Sequence, residues 1–267
     1  MADQRPVGIF DSGVGGLTVV KEFVRLLPQE NVVYFGDTAR VPYGPKSQET
    51  VIRFSIENIL LLLRHRVKLI IIACNTASSV ALSTVGENFR IPVLGVIQPG
   101  AQAAAAATRN RRIGVIGTRT TVKSRAYEEA IRRIAPGASV FSASCPLFVP
   151  LVEEGWLDTP VTVQIAADYL QPLRAEQIDT LVLGCTHYPL LKPVLQRVLG
   201  AEVVLVDSAQ QVSLQAQAIL EQECLLNDRA HPGQLQFFVS DEPDNFAAVG
   251  RQFLGFELGK VEKAGYV

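Results

Sequence analysis

The sequence predicts an α/β protein of two similar domains, each a mostly parallel sheet flanked by helices, related by pseudo-two-fold symmetry with the active site in the cleft between them. Three observations predict it. Short β-branched runs alternate with amphipathic stretches along the whole chain. Four strand-plus-loop units of the first half recur in order in the second. At 267 residues the chain also approaches the length at which one core gives way to two.

Strands covered on both faces read as nearly continuous apolar runs, without polar alternation. Such runs lie at 7–10, 32–35, 69–73, 93–97, 113–116, 140–143, 180–184, 203–206 and 235–239. Between them, segments such as 48–64, which neither Pro nor Gly interrupts, read as helices. The repeat is visible residue by residue. Gly8-Ile9-Phe10-Asp11-Ser12 resembles Gly114-Val115-Ile116-Gly117-Thr118, and Val33-Tyr34-Phe35 resembles Val140-Phe141-Ser142. The run ending in Ala73-Cys74-Asn75-Thr76 resembles the one ending in Gly184-Cys185-Thr186, and Val96-Ile97-Gln98 resembles Leu205-Val206-Asp207. Offsets of 106 to 111 residues leave room only for small loop differences.

The domains expected from this are 1–98 plus 209–267, and 99–208. About sixty residues follow the second copy, with a helix pattern at 212–223, the strand at 235–239 and a last helix at 246–254, and they are expected to return to the first domain. The Ala-rich stretch 100–108, followed by Arg109 to Arg112, is the expected first crossover; a plain surface helix fits it equally.

Composition narrows the function classes. Lys plus Arg number 25 against 26 Asp plus Glu, so there is no basic field for a polyanion and nucleic acid is not expected as the main partner. The opening MADQRPVGIF lacks the basic and apolar regions of a signal peptide, and the longest apolar run is too short for a bilayer, so a soluble cytoplasmic protein without membrane contact is expected. Four cysteines (Cys74, Cys145, Cys185, Cys224) with no Cys-x-x-Cys spacing weaken the disulfide, redox and structural-zinc readings together.

In an open parallel sheet the ligand site lies beyond the carboxyl ends of the strands. Both copies place a cysteine there: Cys74 after Ile70 to Ala73, followed by the helix-starting Asn75, Thr76 and Ser78, and Cys185 after Leu181 to Gly184, followed by Thr186, His187 and Pro189. A lone buried cysteine usually only packs. Two at equivalent positions of facing domains would approach one ligand from opposite sides, the geometry for inverting a tetrahedral carbon. Racemisation needs a base on one face of the α-carbon and an acid on the other, and a thiolate with a thiol serves both directions. An unperturbed cysteine has a pKa of roughly 8.5, which a helix N-terminus is expected to lower.

The thiols need proton partners. Asp11, ending the first strand, and His187, two residues past Cys185, are candidates, although a histidine in a turn can equally just orient backbone. Glu153, within 145–155, is a third, for which a solvated acidic turn is the simpler reading. Gly13-Val14-Gly15-Gly16 fails the dinucleotide pattern because Thr18 replaces the last glycine, and no Gly-Lys-Ser/Thr follows; it reads as a tight turn for close backbone approach to a carboxylate. Ser12, Tyr43, Gly44, Asn75, Thr76, Thr118, Thr121 and Thr186 offer mainly neutral donors for carboxylates. A zinc site of Cys185 and His187 with Cys74 or Cys145 stays open, though no second close pair of ligands is visible. Cys145 and Cys224 are expected to pack in the core.

These residues closely resemble the glutamate racemase family, the cofactor-independent enzymes that supply D-glutamate for bacterial peptidoglycan. The resemblance spans essentially the whole chain. It is carried by Phe10-Asp11-Ser12-Gly13-Val14-Gly15-Gly16, Pro42-Tyr43-Gly44, Ala73-Cys74-Asn75-Thr76-Ala77, the segment 145–155, Gly184-Cys185-Thr186-His187-Tyr188-Pro189 and Val206-Asp207-Ser208. It implies that Cys74 deprotonates D-glutamate and Cys185 L-glutamate, with Asp11 and His187 assisting the nearer thiol and Glu153 joining the catalytic set. Substrate contacts implied are Asp11, Ser12, Tyr43, Gly44, Asn75, Thr76, Thr186 and His187, with Thr118 and Thr121. No cofactor, pyridoxal phosphate or metal, is implied, and the assembly implied is a homodimer. Some members with an N-terminal extension respond to a muramyl nucleotide precursor; this chain starts six residues before its first strand, and that activation is not expected of it.

Three other readings compete. An aspartate racemase shares paired cysteines and duplicated domains, and spacing does not fix side-chain length. A non-catalytic amino-acid binding protein also suits two lobes around a cleft, but has no need of two symmetry-matched cysteines. A regulatory role for a racemase-like chain fits less well, since every expected reactive residue is present.

Overall fold

In the computed structural model, which describes residues 3–228 and 230–265, the apolar runs form two sheets in which every strand pair is parallel. The first copy of the repeat contains β1 (Val7–Asp11), α1 (Leu17–Leu26), β2 (Val32–Gly36), α2 (Gln48–Leu63), β3 (Leu69–Ile72), α3 (Asn75–Asn88) and β4 (Val93–Gly95), and α4 (Ile97–Ala107) leads out of it. The second contains β5 (Arg112–Gly117), α5 (Arg119–Ser124), α6 (Ala126–Ile134), β6 (Ser139–Ser144), α7 (Phe148–Glu153), α8 (Pro160–Ala175), β7 (Thr180–Gly184), α9 (Lys192–Leu199) and β8 (Val204–Asp207). The chain ends through α10 (Ser208–Gln222), β9 (Leu235–Val239), α11 (Pro243–Leu254) and β10 (Val261–Lys263).

Strand order is β10-β9-β2-β1-β3-β4 in one sheet and β6-β5-β7-β8 in the other. The four repeated strands are therefore arranged identically, so the similarity in sequence is a similarity of topology. The residues after the second copy do return to the first sheet, where β9 lies beside β2 with Phe237 opposite Tyr34.

The apolar runs need cover on both faces, and the pleat divides them. Val7, Ile9, Leu69 and Ile71 pack toward α1, α10 and α11, where Leu17, Phe23, Val212 and Phe253 lie; Phe10, Ile70 and Ile72 face α2 and α3, meeting Ile59, Leu62 and Val85. All are nearly inaccessible to solvent, and each such aliphatic side chain contributes about 1.5–3 kcal/mol by leaving water. Two helices join the sheets: α4 packs on α6 and the second sheet, α10 packs on α1, and the two touch each other.

Two expectations need correction, and one strand is additional to those expected. The strand expected at 93–97 stops at Gly95: the Val96 N–H donates to Ser78 Oγ (3.2 Å) and α4 starts at Ile97, with Pro99 in its first turn, where no N–H is needed. Apolar residues on both sides of that junction hide it from a hydrophobicity pattern. The edge strand β10, Val-Glu-Lys, is too short and polar to read in advance. Cys224 is not a core residue: it is exposed in a left-handed conformation (φ 54°) just beyond α10, whereas Cys145 is fully buried.

Candidate active site

In the order 2-1-3-4 the connections leaving the first and third strands run to opposite sides, and a crevice opens beyond the carboxyl ends of these two strands. Asp11 ends β1 and Cys74 stands two residues past β3; in the second sheet Thr118 follows β5 and Cys185 follows β7. The ladder continues just past the strands, Ala73 N–H donating to the Phe10 carbonyl (2.9 Å) and Asp37 N–H to that of Asp11 (3.0 Å), so these loops leave rigid β-structure at fixed angles. The two crevices meet. Ser12, Cys74, Asn75 and Thr76 from one lobe and Thr118, Cys185, Thr186 and His187 from the other line a single cavity, with Tyr43, Gly44 and Val149 among the residues that close it.

That cavity measures about 30 Å³, enough for two or three waters at roughly 10–15 Å³ each and too small for an amino acid. The lobes are thus closed on each other. Beside it a more apolar hollow of about 430 Å³, bounded by Val41, Pro42, Thr118, Pro146, Val149 and Glu153, forms the mouth.

Cys74 is 5% exposed and N-caps α3, its sulfur accepting from the Ala77 N–H at 3.4 Å, with Ser12 Oγ 3.8 Å away. A helix N-terminus by itself favours a thiolate, yet burial, followed by the neighbouring Asp11 carboxylate, pushes the Cys74 thiol well up. The expectation of a lowered value fails here because the capping N–H is one weak contact against complete desolvation. Asp11 is itself buried, and burial raises its carboxyl, opposed by His187 and by hydrogen bonds from the Gly16 and Ser12 backbone. Its Oδ2 accepts from the Gly16 N–H at 2.7 Å, while Oδ1, also buried, has no partner.

Cys185 has a different partner. Its sulfur lies 3.9 Å from His187 Nδ1, and His187 Nε2 lies 2.8 Å from Glu153 Oε1. Burial presses His187 toward neutrality, but the hydrogen bonds to Cys185 and Glu153 outweigh it and push the imidazole up to about 10. Glu153, at the end of α7, is therefore no mere solvated turn; it reaches the histidine from the mouth. The His187 ring also stands edge-on to Phe253 (centroids 5.2 Å apart).

Other expected residues fall in two groups. Thr76 and Thr118 hydroxyls meet across the lobes at 2.9 Å, and Thr186 Oγ1 is 3.5 Å from Asp11 Oδ2. Thr121 lies behind them, its hydroxyl 3.0 Å from that of Thr118, and does not line the cavity. Asp11 too stands behind the wall. Tyr43 lines the cavity, but its hydroxyl donates to buried Asp37 and accepts from Asn58 Nδ2 (3.1 Å), so it is not free to meet a ligand. The Gly13 to Gly16 turn has no positive φ; its glycines are required by space, and the carboxylate that it approaches is that of Asp11. A Cβ on Gly16 would stand 2.6 Å from that of Asp11 and 2.8 Å from the Tyr34 hydroxyl.

Three residues that the sequence reading passed over support this site. Thr18 Oγ1 bridges the Gly15 and Thr186 carbonyls (2.9 and 3.2 Å), Tyr34 donates to the Gly13 carbonyl (2.6 Å), and Asp37 holds Tyr43, Arg40 and Ser240. Asp37 carried a signal, being an acid just past β2 as Asp11 is at the end of β1. The other two carried none. Among the described residues no group of three or more His, Cys, Asp or Glu is placed to hold a metal ion.

The sequence pattern of the Asp/Glu/Hydantoin racemase family matches residues 8–213. A glutamate racemase of Geobacter metallireducens is 54% identical, over 96% of this chain and 95% of its own. Among solved structures, a glutamate racemase from Francisella tularensis in complex with D-glutamate superimposes with a TM-score of 0.93 at 39% identity, over 99% of this chain and 98% of that one. An aspartate racemase from Picrophilus torridus, at 15% identity and a TM-score of 0.56 over 81% of this chain and 93% of that one, shares the fold alone.

Proposed function

This chain belongs to the glutamate racemase family, and we infer that Cys74 and Cys185 are the two bases with which it interconverts L- and D-glutamate, supplying D-glutamate for peptidoglycan. One observation carries the assignment: two cysteines at equivalent strand ends of facing lobes line one cavity, each beside its own proton partner. The two partners differ. His187, kept charged by Cys185 and Glu153, supplies the positive charge that a Cys185 thiolate needs in so dry a place, whereas Cys74 rests as a thiol beside Asp11. For L-glutamate, Cys185 removes the α-proton, Cys74 delivers its own to the opposite face, and D-glutamate leaves. The reset returns a proton to Cys74, with the unpartnered Oδ1 of Asp11 as relay, and Cys185 gives its proton up to solvent, the charged His187 stabilising the thiolate that forms again. D-glutamate runs the same steps in reverse.

Substrate carboxylates meet the Ser12, Thr76, Thr118 and Thr186 hydroxyls, the Asn75 amide, backbone at Gly44 and the free N–H groups opening α3. Thr121 holds the threonine hydroxyls in place. Two thiols perform both proton transfers, so the chemistry needs no cofactor. No helix among the described residues is long and apolar enough to cross a membrane, and we take the working state to be a cytoplasmic homodimer with domains 1–98 plus 209–267 and 99–208.

The direct test is incubation of metal-free, pyridoxal-free protein with each enantiomer of glutamate and aspartate in D₂O, with chiral separation and mass analysis. Inversion of glutamate with one deuterium per inverted molecule is expected; inversion of aspartate alone would reassign the substrate, and no inversion would refute catalysis.

The His187 pair gives a pH prediction. Its folded pKa, about 10, lies above the ordinary 6.5, so the stability it contributes is complete below about 6.5 and is lost as pH rises through about 10. The alkaline limb of kcat/KM is expected near pH 10 for the same reason. Glu153→Gln removes one of the two groups that hold the imidazole up, leaving burial a larger share, and its alkaline limb should move to lower pH. An unmoved limb would show that Glu153 does not control His187.

A further inference from the structure

Asn75 opens α3 next to Cys74, is 3% exposed and lines the catalytic cavity. What its amide offers a ligand depends on which way it faces. Tyr127, on α6 of the other lobe, stands with its hydroxyl 2.6 Å from Asn75 Oδ1, and Asn75 Nδ2 makes no hydrogen bond to the described residues. The tyrosine donates its O–H to Asn75, and that donation requires the amide oxygen.

The ring has no freedom to turn away. It is 2% exposed and held between two glycines, Gly100 of α4 and Gly184 immediately before Cys185; a Cβ at either would come within 3.1 Å of a ring carbon. Tyr127 thus touches α4, one of the helices that join the lobes, through Gly100, and the end of the strand that precedes Cys185, through Gly184. None of these contacts reaches a reacting atom.

We propose that Tyr127 is a positioning residue for substrate binding: its hydroxyl, on a ring clamped between Gly100 and Gly184, fixes Asn75 with Nδ2 toward the cavity, where it donates to a carboxylate of either enantiomer. The opposite orientation would set a carbonyl oxygen against that carboxylate. The inference rests on the racemase reading above. Asn75 binds the carboxylate in ground and transition states alike, so the loss falls on KM more than on kcat.

Tyr127→Phe removes only the hydroxyl. KM for L- and D-glutamate is expected to rise about tenfold, the scale of one hydrogen bond, with kcat within about threefold of the parent. Calorimetric Kd for D-glutamate should rise in parallel. In an Asn75→Ala background the same substitution should change KM and Kd by less than about twofold, because its effect passes through Asn75. An unchanged KM and Kd in Tyr127→Phe, or an undiminished tenfold effect without Asn75, would overturn the assignment and leave Tyr127 a packing residue. If the parent bound glutamate without inverting it, the catalytic reading would fall while the Kd series still judged Tyr127; a parent that bound no glutamate would overturn both.

Discussion

Replacing Cys74 or Cys185 by serine lowers kcat/KM for glutamate by roughly 1000-fold or more, since positioned proton transfer contributes on the order of 10²–10⁴ and a serine hydroxyl does not ionise near neutral pH. The loss must be equal in both directions, because the two enantiomers have the same free energy and the ratio of their kcat/KM values is fixed at one. What distinguishes the variants is hydrogen exchange. Cys74→Ser keeps the Cys185 to His187 to Glu153 chain and should exchange the α-hydrogen of L-glutamate with solvent without inverting it; Cys185→Ser keeps Cys74 and Asp11 and should do so only with D-glutamate. The test is mass analysis of each enantiomer recovered from D₂O. Exchange of the same enantiomer by both variants would refute the assignment of faces, and inversion at the parent rate by either would refute the two-base mechanism.

Gly15→Ala has the next largest effect, although Gly15 donates nothing to the substrate. A Cβ there would stand 2.2 Å from Thr186 Oγ1 and 2.5 Å from His187 Nδ1, both on the opposite lobe. The clash is relieved by parting the lobes or by turning His187 away from Cys185. Either displaces proton-transfer groups by about an ångström, and kcat/KM is expected to fall about 100-fold or more. The strain lies between lobes and not within one core, so the melting temperature should change little. Gly86→Ala is the control: it lies in α3 with open space where its Cβ would go, and alanine favours a helix interior by about 1 kcal/mol. Full activity in Gly15→Ala would mean that the lobes do not close as described.

The repeat made much of this legible in advance. Matched apolar runs ending in Cys74 and Cys185 fixed the fold class, the crevice and the paired thiols, because a parallel sheet places its site by topology and the topology is written in the order of the runs. Where the reading failed, the deciding residues were brought together by the tertiary fold. Cys224 looks as apolar in sequence as Cys145, and only the turn after α10 leaves it exposed. Glu153 looks like a solvated acid until α7 carries it to His187, 34 positions away, and Tyr43 looks like a free donor until Asp37 is seen to accept its hydrogen bond.

The sequence by itself determined the two-lobed fold, the two cysteines and the chemistry that a symmetric pair of thiols suits. Only the tertiary structure decided their inequality: one thiol beside a buried carboxylate, the other beside a histidine kept charged by a glutamate. The physical reason is that protonation in a dry cavity is set by desolvation and by charges a few ångströms away, and those neighbours come from other strands, helices and the facing lobe, where spacing along the chain carries no record of them.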